Sequence, residues 1–150
     1  MWKEYLCGPT NNLSMTRKDF QRIAKVRLID AKNLLRTRRY SAAYYICGYV
    51  VECALKACIA KKTRRYDFPP NWSTVREEYY THDLAKLLKA AGLEGLMTNA
   101  STGLQQNWIV AKDWSESSRY SSMNSSTAQE LYDAISDPTD GILIWLEQHW

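Results

Sequence analysis

Histidine is the scarcest reactive side chain here, because the 150 residues include two, His82 and His149. Acid–base chemistry near neutral pH therefore has a single interior candidate, His82, whose ordinary pKa lies close to that range. Cysteine is hardly more abundant. Cys47, Cys53 and Cys58 fall six and five apart and Cys7 stands alone, with no C-x-x-C and no Cys/His ligand spacing. Neither a metal site nor a disulfide framework is expected, nor any cofactor, and the three clustered thiols are expected to be reduced and buried. No apolar run approaches the ~20 residues that a membrane span requires. The opening MWKEYLCGPTNNLS lacks the apolar stretch and small-residue cleavage site of a secretory signal. A cytoplasmic protein is the expectation. Long strand-like runs and internal repeats are missing too.

What is present is helical spacing, most informatively in YSAAYYICGYVVECALKACIA, residues 40–60. A helix of that sequence is apolar almost all the way round, so it belongs in the middle of a bundle. It keeps one acid–base pair, Glu52 and Lys56, four apart with the acid nearer the N-terminus, the favourable order for a same-face ion pair. A pair on so apolar a helix marks a crevice or an interface.

Net charge is +4 but unevenly spread: residues 1–65 hold fifteen Lys/Arg against four Asp/Glu, and residues 66–150 hold five against twelve. Much of the positive charge falls on the first helical segment. There Lys18, Arg22, Lys25, Lys32, Arg36 and Arg39 form one stripe, opposite an apolar side of Phe20, Ile23, Ala24, Ala31, Leu34 and Leu35. The stripe suits a solvated face or an anionic partner, and the acidic half of a second copy would serve as that partner.

The first helix is expected to start near Ser14 or Thr16, with Asp19 completing a cap from Thr16, and to run to about Thr37. The second runs from Ser41 to between Lys61 and Arg65. Residues 64–81, with Pro69 and Pro70 and many aromatics, read as an ordered excursion. A third helix follows, capped by Thr81 and stopped at Gly92. A fourth covers residues 101–114, with Leu104, Trp108 and Ala111 on one side. Ser115 to Thr127 reads as a loop, and a last helical region from Ser126 or Thr127 is broken at Asp137-Pro138. The fold class is therefore all-α: an up-and-down bundle of four to five helices around two long central antiparallel ones. Residues 1–13 form a leader and 14–150 a single domain.

Taken in order, the long helix, then THDLAKLLKAAGL, then DWSESSRYSS and a closing helix resemble the HEPN domain family. Its members share a long helix of the form Y-x-x-G-Y-x-x-E-x-x-L-K-A, a later H-D-L at a helix start, and an R-Y before the last helix. The matching residues are Ala43, Tyr45, Gly48, Tyr49, Glu52, Leu55, Lys56, Ala57, His82, Asp83, Leu84, Arg119 and Tyr120. The resemblance covers about residues 20–136. It implies a small helical bundle that forms a homodimer and works on or beside nucleic acid. Many members are metal-independent ribonucleases with an R-x4-6-H motif, and others pair with a minimal nucleotidyltransferase as a toxin–antitoxin system.

This chain departs from the nuclease pattern, since four to six residues after Arg119 bring Asn124, Ser125 and Ser126, and no His follows until His149. Arg76-x5-His82 satisfies the bare spacing but sits where the family keeps its H-D-L. The resemblance implies Arg119 and His82 as the residues of any cleavage chemistry, Arg119 steadying the phosphorane charge and His82 moving protons. Arg119, Tyr120, Lys56, Arg64 and Arg65 are the candidates for holding a nucleotide or RNA, with Trp72, Tyr79 and Tyr80 free to stack on bases. Tyr44, Tyr45 and Tyr49 suit the core as well as a stacking platform. Equally, Glu52, Lys56, Arg119, His82 and Asp83 would form a structural ion-pair network in which Glu52 ties the Ser-rich connector to the central helix. Opposed to a nucleotide/RNA-binding protein with a degenerate ribonuclease motif stands a non-catalytic helical module that docks an acidic partner or a second subunit.

Overall fold

The computed structural model describes residues 15–62, 67–68 and 79–150. Arg64, Arg65, Trp72 and Arg76 lie outside the described residues. Helix α1 spans Arg17–Arg36, and its start is local grammar: Thr16 Oγ1 accepts from the Asp19 backbone N–H while Asp19 Oδ2 accepts from that of Thr16. These bonds, from backbone and hydroxyl of Thr16, hold the Asp19 carboxyl below the usual range. Phe20, Ala24 and Ala31 are buried, with Ile23 and Leu28 packed beside them. The helix ends at Thr37, where Arg38 takes φ of 60° and the backbone N–H groups of Arg38 and Arg39 return to the carbonyls of Leu35 and Leu34. That is a Schellman ending with a non-glycine residue in the left-handed position. Arg39 then precedes α2, so the basic stripe stops at Arg36.

Helix α2, Tyr40–Lys61, is buried almost continuously from Cys47 to Ala60. By length and hydropathy it would qualify to cross a membrane, with a mean hydropathy of 1.3 over its most apolar window, although no such run was expected. Its neighbours account for that composition: 72% of the window is inside the bundle. Short Thr37–Arg39 folds α1 back along one flank, and α3, α6, α7 and a 3-10 turn cover the others. Burial pushes the thiols of Cys47, Cys53 and Cys58 up to about 12, and Cys58 Sγ lies 3.7 Å from the Leu146 carbonyl.

Helix α3 is shorter than expected, Leu84–Ala90, because Asp83 and not Thr81 caps it: Asp83 accepts from the Lys86 N–H, and Thr81 Oγ1 accepts from the Asp83 N–H. It stops at Gly92, whose φ of 72° suits a residue without Cβ. Next come α4, Glu94–Thr98, which the spacing does not announce, and α5, Thr102–Lys112, capped by Ser101 and burying Leu104, Trp108 and Ala111. The Ser-rich connector holds the 3-10 turn Glu116–Tyr120, and α6, Ser125–Ser136, starts from an Asn124 cap. Asp137 accepts from the backbone N–H groups of Thr139 and Asp140, forming the turn into α7, Ile142–Glu147. Among the described residues, strand structure amounts to Met15–Thr16 paired antiparallel with Asp67–Phe68. The molecule is an all-α bundle, as expected.

Gly48 sets how closely the connector approaches α2. A Cβ there would fall inside the indole of Trp114, which is itself 3% exposed. In an ordinary helix interior Gly→Ala stabilises by about 1 kcal/mol. Gly48→Ala is expected to do the opposite, destabilising by about 1–3 kcal/mol through overpacking, as urea denaturation will measure.

Candidate functional site

Tyr45, Tyr49, Glu52 and Lys56 advance by four, three and four residues, so they line one face of α2. Glu52 is 4% exposed and both carboxylate oxygens are used: Oε1 accepts from Lys56 Nζ at 2.7 Å and Oε2 from His82 Nδ1 at 2.9 Å. An ionised carboxylate at such depth is tolerated only when its charge and lone pairs are met, and here the Lys56 ammonium and the His82 ring N–H meet them. Asp83 delivers His82 to this place by fixing the start of α3 immediately after it.

The hydrogen bond to Glu52 raises the His82 pKa above 6.5, against the opposing effect of burial; Glu116 adds to the rise and Lys56 opposes it. With Nδ1 committed to the carboxylate, Nε2 is the ring nitrogen left for other chemistry, the orientation that carboxylates impose on acid–base histidines. The side chain keeps 31% exposure, so the ring is not sealed in.

Tyr49 stands edge-on to His82, with ring centroids 6.0 Å apart, and edge-on to Trp114 at 5.1 Å. Its hydroxyl lies 3.1 Å from that of Tyr45, and burial, then the Tyr45 bond, drive its pKa well upward. The two phenol hydroxyls, each able to donate and accept, lie beneath the connector. Above them Arg119 is exposed, its guanidinium 4.8 Å from the centre of the Tyr120 ring. Interactions first with Tyr120 and then with Tyr45 keep its pKa above the usual Arg value. Tyr120 is 76% exposed.

The expected bond between Glu52 and Arg119 is not formed. The 3-10 turn directs Ser118, 6% exposed, toward α2 and leaves Arg119 on the outside, separated from Glu52 by the tyrosines. Asp83 is likewise not a partner of Glu52; it caps α3 and pairs with Lys86 at 3.8 Å. Tyr44 is half-buried, Tyr79 buried and Tyr80 exposed. Trp114 is a member of the site that spacing alone did not single out, although a glycine in the middle of a bulky helix signals that something large approaches it. Two buried polar atoms at this junction, Trp114 Nε1 and Ser118 Oγ, have no hydrogen-bond partner among the described residues.

A recess of about 360 Å³ lies elsewhere, between the α4–α5 corner and α7, and includes Leu96, Asp140, Trp145 and His149. Asp140 there accepts from the Ser101 hydroxyl at 2.6 Å, which fastens the turn before α7 to the start of α5.

Lys56→Met leaves a buried carboxylate short of one partner, so urea unfolding is expected to show a loss of about 3 kcal/mol or more. Glu52→Leu combined with Lys56→Met is expected to recover most of it, because no charge is then stranded. A pH series separates out the histidine. His82 has its pKa raised by folding, so its contribution is fully present below about pH 6.5 and is lost as pH rises through the elevated value. The stability advantage of wild type over His82→Gln should therefore shrink from about pH 6.5 upward, and a constant advantage from about pH 5 to about pH 9 would rule out the ionised pairing.

In comparison with known proteins, residues 18–71 match the family model described as HEPN domain. That interval contains all of α1 but its first residue, the turn at Arg38, all of α2 and the second strand. No curated protein and no solved structure matches the chain.

Proposed function

We propose that the chain binds RNA or a nucleotide across the connector face, with Arg119 and Tyr120 as the contacts, a reading supported by the match of residues 18–71 to the HEPN domain model. The observation that carries this reading is an exposed guanidinium over an exposed phenol ring, set above the paired hydroxyls of Tyr45 and Tyr49. Tyr49 in turn packs edge-on against His82, which bonds the buried Glu52–Lys56 pair. A guanidinium offers paired donors to a phosphate, and a free aromatic face accepts an unstacked base of any sequence. Lys56 does not contact the ligand in this reading, because its ammonium is committed to Glu52.

Any catalysis is metal-independent cleavage of RNA. Arg119 then stabilises the charged phosphorane, and His82, oriented through Nδ1, moves the proton with Nε2. The hydrogen bond to Glu52 raises the His82 pKa, which suits the imidazole to donate a proton to the leaving oxygen. The family resemblance further supports a homodimer, and a place in a toxin–antitoxin or defence system beside a nucleotidyltransferase.

The test is binding and cleavage of a labelled single-stranded RNA with chelator present. Arg119→Ala and Tyr120→Ala are each expected to weaken binding about tenfold with folding intact, and the affinity to fall steeply with salt. Wild-type protein that binds neither RNA nor nucleotides at low salt would overturn the reading. Cleavage unchanged in Arg119→Ala and His82→Ala would remove both residues from the chemistry.

A further inference from the structure

The outer face of α1 has the composition of a contact surface and, apart from Lys25, which meets Glu147 and the Trp150 ring, it is left open by the described residues. Lys18, Arg22, Lys25, Lys32 and Arg36 are all exposed. The gap in their spacing is filled by Ile29, which is 61% exposed, with Val26 at 42% alongside. Positions 18, 22, 25, 29, 32 and 36 therefore advance in alternating steps of four and three, the 3.5-residue average with which one helix follows another. Lys25 reaches Glu147 at 3.6 Å; Lys18, Arg22, Lys32 and Arg36 have no ion pair among the described residues. Five like charges on one helix face repel unless something answers them.

The same chain carries a surface of opposite sign and similar make-up. Asp113, at the end of α5, has its side chain 83% exposed, and Ile109 and Val110 are exposed on the turn before it. On α6, Glu130 and Asp133 are exposed. Helices α5 and α6 pack against each other, so these exposed acids stand on adjoining elements. An apolar pair ringed by cations on α1 thus has a counterpart in an apolar pair beside acids on α5 and α6.

We infer that the α1 face of one copy docks on the α5–α6 face of a second copy. The inference deepens the second-copy part of the reading above and does not depend on RNA binding. A nucleic acid would satisfy the cations but would leave Ile29 and Val26 against phosphate, whereas the α5–α6 face offers both acids and apolar side chains. A helix face and its complement on different parts of the chain also explain why the charge of the two halves is segregated while the net charge stays small.

Sedimentation velocity on the full chain tests this. Wild type at low salt is expected to run above the 17.4 kDa monomer and to fall to it in high salt. The paired change Arg22→Glu with Lys32→Glu, and separately Asp113→Lys with Asp133→Lys, should each give monomers whose thermal midpoints and circular dichroism show intact folding. Mixing the two reversed proteins should restore association, because the acidic α1 face of the first meets the basic α5–α6 face of the second and their unaltered faces remain complementary to each other; combining all four changes in one chain should restore self-association as well. Arg119→Ala, which tests the RNA reading, should leave the assembly mass unchanged. A wild type that is monomeric at low salt, or a four-fold variant that stays monomeric, overturns the inference. So does a monomer whose RNA affinity is lost on Arg22→Glu with Lys32→Glu, since the α1 face would then belong to RNA.

Discussion

The structure depends on one buried charge. Glu52 lies in the middle of the helix that every large neighbour packs against, and it must be answered from within reach or the helix could not sit there. Lys56 answers from the next turn of the same helix, and His82 from the residue before the Asp83 cap. The second bond crosses thirty residues, so it fixes where His82 and the front of α3 sit against α2. Packing and potential chemistry are therefore tied together: the contact that docks the front of α3 is also the one that orients the imidazole.

A second constraint works beside it. Because Gly48 has no side chain, the Trp114 indole lies against the α2 backbone, and the connector that follows is drawn down over Tyr45 and Tyr49. Ala54, Ala57 and Ala60 are fully buried farther along α2, where small side chains allow other elements to approach closely. Without the glycine, the 3-10 turn would stand farther from the tyrosines, and Arg119 would lose its relation to Tyr45. The succession of side chains from surface guanidinium to buried carboxylate is built from these two approaches.

Features settled within one or two turns were legible in the sequence. The Thr16–Asp19 cap, the Glu52–Lys56 pair and the Leu104, Trp108 and Ala111 stripe depend on helical periodicity alone, and the structure has each of them. Features that depend on which residue of an irregular segment faces inward were not. Arg119 was expected on Glu52, but in the 3-10 turn its neighbour Ser118 takes the inward position. Thr81 and Asp83 are both competent caps, and only the placement of His82 decides between them. Arg38 in a left-handed conformation likewise has no local signal, because tertiary pairing of α1 with α2 imposes the tight reversal.

The three thiols of α2 carry a consequence of their own. With acidity suppressed to about 12 and the side chains enclosed, almost none is in the nucleophilic form while the bundle is shut. Alkylating reagents would thus meet them only during transient separation of the surrounding helices. Because Cys47, Cys53 and Cys58 sit at three successive heights along one rod, their relative rates of modification would record which end of the protein breathes first.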